Sequence, residues 1–139
     1  MLRWTPGSGS AALALAAVAL LSAGCGGRGG PSCDDAAFRS QDEELYVARA
    51  TVGNALAGGG DPAILLRDLG RARAALGGYL DAHPPCAERL MAIETTEREG
   101  LGALDEAIAR LSGGADAGSQ LRRALRAFRD AQAALGAVG

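Results

Sequence analysis

Four apolar stripes at helical spacing, cut apart by glycine and proline, constrain this 139-residue chain more than any other feature. Phe38, Leu45, Ala48, Val52 and Ala55 recur at the intervals of one buried helix face. Ser32 or Asp34 is the expected N-cap, with acidic residues in the first turn where the helix dipole favours them. Gly58-Gly59-Gly60 ends that stripe, and Asp61-Pro62 reopens a helix as a cap followed by proline at the first helical position. The second stripe is Leu65, Leu69, Ala72, Leu76 and Tyr79. Gly77-Gly78 lies inside it, a pair that weakens the turn or lets a neighbour approach closely.

His83-Pro84-Pro85 is a stop, and a third helix is expected from about Pro85. Its stripe runs Leu90, Ile93, Leu101, Leu104, Ile108 and Leu111, up to Gly113-Gly114. Asp116 or Ser119 caps the fourth, which carries Leu121, Leu125, Phe128, Leu135 and Val138. No apolar alternation bounded by hairpin turns competes with this reading. The pattern predicts an all-α fold, an antiparallel up-down-up-down four-helix bundle over residues 33–139. Ala72 to Pro84 is similar to the closing half of a tetratricopeptide repeat, but the unit does not recur at a fixed period, which excludes a repeat array.

Charge supports the same arrangement. The first and third helices are acid-rich and the second and fourth arginine-rich, so neighbours in an antiparallel bundle meet with opposite charge. Every basic residue is Arg, and the formal net charge is −2, about −3 if Arg3 is removed. Nucleic acid is excluded as a partner, because such binders carry a concentrated basic face. Beyond Trp4 near the N-terminus, the aromatic residues Phe38, Tyr46, Tyr79 and Phe128 are too scattered to stack bases or sugars.

The N-terminal segment has a different logic. Arg3 precedes an apolar run from Ala11 to Leu21, with small residues after it, the build of a cleaved export signal. A membrane-spanning helix needs about 20 apolar residues, more than this run supplies. The run ends Leu21-Ser22-Ala23-Gly24-Cys25, which resembles the lipobox of bacterial lipoproteins, with the leucine one place further from the cysteine than in the family pattern. The resemblance implies that residues 1–24 are a signal peptide, that the Cys25 thiol is acylated, and that Cys25 becomes the first residue of the mature protein. It also implies a bacterial cell-envelope location, anchored to the membrane through lipid. In a Gram-negative cell, Gly26 in place of the family's retention aspartate implies the outer membrane, facing the periplasm. Residues 25–32 are glycine-rich and read as a flexible tether.

Chemistry is sparse. His83 is the one histidine and lies in a predicted loop, so no hydrolase triad is expected. With Cys25 committed to lipid, Cys33 and Cys86 remain, without the CxxC spacing of a zinc site. Export to an oxidising compartment, and a topology that brings the start of the first helix to the junction of the second and third, predict a Cys33–Cys86 disulfide. Glu97 lies seven residues from both Leu90 and Leu104 and so falls on the buried stripe, with Glu94 at its border. Di-iron bundles place carboxylates this way but also supply Glu-x-x-His, which is missing here. The expected outcome for Glu97 is an arginine partner such as Arg49, Arg71 or Arg126, or a rotation that lets it reach water. The functional expectation is a non-catalytic helical accessory protein without a cofactor, contacting another envelope protein. The alternative is a small-ligand or metal-binding bundle centred on Glu94 and Glu97.

Overall fold

The computed structural model describes residues 32–139; the signal segment, Cys25 and the tether up to Pro31 lie outside the described residues. Five helices follow one another: α1 (Asp35–Arg39), α2 (Asp42–Ala57), α3 (Pro62–Ala82), α4 (Glu88–Ser112) and α5 (Gly118–Ala137). Among the described residues there is no strand, and no helix is long and apolar enough to cross a membrane. The four long helices form an all-α bundle in which α2 packs on α3 and α5, and α4 on α3 and α5.

Cross-helix contacts show the direction of packing. Arg98 meets Asp81, while Asp105, further along α4, meets Arg73, further back along α3, so these helices run antiparallel. Arg49 of α2 donates to Gln132 of α5, and Arg123 of α5 meets Glu106 of α4 at 2.8 Å. The interior is built from the stripes: Phe38, Leu45 and Val52; Leu69, Leu76 and Leu80; Leu90, Leu101 and Leu104; Leu121, Phe128 and Leu135. Alanines 48, 72, 103, 107, 124 and 131 fill the spaces between them.

Three boundaries differ from expectation. The first predicted helix is broken at Ser40-Gln41 into α1 and α2. Ser40 N bonds Ala37 O in place of the carbonyl four residues back, and its Oγ donates to Ala36 O. Gln41 Nε2 takes Phe38 O, so side chains satisfy the carbonyls that a continuous helix would have used. The third predicted helix begins at Glu88, three residues beyond Pro85, because the chain stays extended through Ala87 (φ −70°, ψ 135°). The last helix opens behind Ala117 without a side-chain cap; Asp116 Oδ1 stands 3.4 Å from Gly118 N, and Arg110 Nε donates to Asp116 O.

Gly77-Gly78 does not interrupt α3. Buried Gly77 admits the Arg73 side chain, whose Nη1 lies 2.8 Å from where a Cβ would stand, and a second close approach is at Gly100 of α4, where an added Cβ would stand 2.6 Å from the Phe128 ring and 3.1 Å from the Ala127 Cβ. Gly58 closes α2 in the left-handed conformation at φ 75°.

Candidate functional site

One end of the bundle gathers most of the specific chemistry. Cys33 and Cys86 are bonded there, with Cα atoms 5.1 Å apart. Asp34 N donates to Pro84 O at 2.8 Å, and Tyr79 OH donates to Ala37 O at 2.7 Å. The N-terminus of α4 has no capping side chain of its own. Asp35, from α1, ties down the turn just before that helix: its Oδ1 accepts from Cys86 N at 2.6 Å and Ala87 N at 3.0 Å. Those two donors, with Arg39 and Arg89 adding positive charge, hold the Asp35 carboxyl below its ordinary value. His83 packs its ring on Tyr79 with centroids 4.5 Å apart.

In the core, Glu97 is fully buried, as its place on the stripe requires. Neither expected outcome holds, since it forms no ion pair with an arginine and its side chain is shut off from solvent. Arg49 is engaged by Gln132, Arg71 and Arg126 lie at the surface, and neither carboxylate oxygen has a hydrogen-bond partner. Burial pushes the carboxyl up from 4.5 to about 8, and Glu94 adds to the rise; Gln41 and Arg98 oppose it. Glu94 is half-buried and holds Arg98 at 3.0 Å. Among the described residues no three His, Cys, Asp or Glu side chains converge on a metal position. Gln41 was not anticipated. It stands three residues from Phe38 and four from Leu45, so the stripe itself carried the signal for a buried amide.

On the outside, α2 and α3 leave an open groove of about 390 Å³. Val47, Leu65, Ala72 and Ala75 make its apolar lining, and Asp68 and Arg71 stand in it as polar groups. Val47 is 42% exposed, with Tyr46 and Ile64 as further exposed apolar side chains on the same two helices. The groove arises because small residues, Thr51, Ala72 and Ala75, occupy the seam where larger ones would close it.

No protein-family model, curated protein or solved structure matches this chain.

Proposed function

We propose that the chain is a lipid-anchored, non-catalytic accessory protein of the bacterial cell envelope, whose bundle offers the α2–α3 groove to another envelope protein. The anchor rests on the Leu21–Cys25 stretch and its resemblance to a lipobox. In a Gram-negative cell, Gly26 in place of the family's retention aspartate favours the outer membrane, facing the periplasm. The docking half rests on one observation: an open apolar groove with one acid and one base, Asp68 and Arg71, available to fix orientation. That chemistry suits an apolar side-chain ridge flanked by charges of both signs, as on an amphipathic helix. A non-catalytic role accords with the placement of His83, whose ring is taken up by Tyr79.

Photo-crosslinking amino acids at Val47 and Ala75, in the full chain in its own cell envelope, test the docking half. One adduct from both positions is expected, lost when Arg replaces Ala75 in the Val47-labelled protein and absent from a probe at Arg122. Equal adducts from the groove and from Arg122, or none from the groove, would sink it. The anchor has its own test. Cys25→Ser should abolish incorporation of labelled fatty acid, and continued labelling would refute the lipobox reading.

A further inference from the structure

Arg73, Arg98 and Arg123 each meet a carboxylate, but no ion pair among the described residues includes Arg122, Arg126 or Arg129. These three stand at i, i+4 and i+7 of α5 and are exposed, so they form one line of like charge about 10 Å long. Like charges at that spacing repel and weaken a helix. Asp130, the one acid of α5, stands on the flank toward α4, where it lines a groove with Arg89. Arg39, Arg71 and Arg89 also lack an ion pair, but each stands singly, on α1, α3 and α4. We infer that the α5 line is a contact for an anionic lipid surface: the bundle lies side-on to the membrane that anchors it, with α5 against the lipid. The inference rests on the lipid anchor proposed above and not on what docks in the groove.

Charge selects that posture over an end-on one. The disulfide holds Cys33 where α3 stops and α4 begins, and α5 finishes at the same end, with Ala134 and Val138 beside Arg89 and Ile93. That end is acidic: Asp34, Asp35, Asp42, Glu43, Glu44 and Glu88 stand against Arg39 and Arg89. Set end-on, it would bring carboxylates up to lipid phosphates and be repelled. The α3 side offers no comparable attraction, since Arg67 and Arg73 are matched by Asp68 and Asp105. Reach permits the side-on posture. The chain from Cys25 to Cys33 spans at most about 29 Å, more than the roughly 20 Å thickness of two helix layers.

Three cations are few for capture of a polyanion from solution, and the anchor removes that need. A lipid link makes the contact intramolecular, so a weak attraction is enough to set the posture. The posture has a consequence for the rest of the surface. Because α2 and α4 each pack on both α3 and α5, α3 lies diagonally across from α5. With α5 against the lipid, the α2–α3 groove is turned away from the membrane and stands open to a partner.

The test uses the chain purified from its own membranes and placed in nanodiscs, of phosphatidylcholine alone or mixed with phosphatidylglycerol. Both kinds carry a lipid with gadolinium on its headgroup. Relaxation enhancement at the amides from Arg122 to Ala133 should exceed that from Ile64 to Ala75 in the anionic discs only. It should be lost at about 1 M salt, where the screening length falls to about 3 Å. Each of Arg122→Gln, Arg126→Gln and Arg129→Gln should lower the ratio of side-on to detached molecules by about fivefold. The urea midpoint of each variant should hold or rise, because a like-charge repulsion is removed. A chain whose mass shows no acyl group at Cys25 refutes the anchor and this posture with it. An acylated chain whose α5 and α3 amides are enhanced alike in anionic discs overturns the posture and leaves the anchor standing. Shifts at Arg122, Arg126 and Arg129 with soluble polyglutamate but not with anionic discs overturn it too, and assign the line to an acidic protein.

Discussion

A carboxyl group taken out of water is stable in the form that carries no charge, and Glu97 makes that preference measurable in the whole protein. The unfolded chain releases the proton near the ordinary value of 4.5, and the folded chain holds it to about 8. Between those values the native state binds the extra proton, so stability falls as pH rises across the window and is flat on either side. The fall is at most about 5 kcal/mol, at roughly 1.4 kcal/mol for each pH unit of difference. Glu97→Leu should abolish this limb and, at pH 8, stabilise by about 1–4 kcal/mol, as replacement of a buried charge by core packing does. Urea melts of wild type and variant at pH 5 and pH 8 check it; equal losses in both would remove Glu97 as the cause. Asp35 has the opposite sign. Its carboxyl is depressed by the Cys86 and Ala87 N–H donors, so its contribution is present above the ordinary aspartate value and lost as pH falls through the folded one. Asp35→Ala should flatten the acid limb of thermal melts below the ordinary aspartate value of 3.8, without touching the alkaline one.

At the scale of the helix, the glycines separate two kinds of position that look alike in sequence. Gly100 lets α4 lie against Phe128 of α5, and a methyl group there would overlap the ring. Gly100→Ala should cost about 1–3 kcal/mol, the usual penalty for overpacking. Gly78 is exposed within α3, with nothing within 4 Å of an added Cβ. Gly78→Ala should stabilise by about 0.5–1 kcal/mol through helix propensity. Paired denaturation curves decide it, and a shift of the same sign in both variants would refute the distinction. The four stripes were legible because helical period is written locally, residue by residue. The Ser40-Gln41 break was not, since neither residue is a breaker and the bonds that make it run from side chain to backbone. The Gly100 approach was hidden for another reason: it depends on the ring of Phe128, 28 positions later. Glu97 was legible as buried, but its missing arginine was not, because the level at which helices meet is a tertiary property.

For the molecule as a whole, the question is what holds α1 to the start of α4 when most of the surface charge pairs contribute little. Arg73–Asp105, Arg98–Asp81 and Arg123–Glu106 are all close to half exposed or more, and such pairs are worth about 0–1 kcal/mol each. The Cys33–Cys86 bond is different in kind, since it acts on the unfolded chain. It spans a sequence separation of 53, and closing a loop of that size should contribute about 4 kcal/mol in the chain-entropy treatment. Against the 5–15 kcal/mol or so that holds a typical domain folded, that is a large share. The folded geometry does not depend on it to the same degree. Asp34 N to Pro84 O and the Asp35 bonds to Cys86 N and Ala87 N join the same two segments without it, and Tyr79 OH ties Ala37 to the end of α3. The Cys33→Ala/Cys86→Ala protein should therefore keep its helical circular dichroism and the chemical shifts of α3 to α5, while its urea midpoint falls. Its m-value should rise, because the released loop exposes more surface on unfolding. A midpoint unchanged from the oxidised protein would show that the bond only records a proximity the other contacts already impose. Loss of the α3–α5 shifts would show that it is needed to form the bundle.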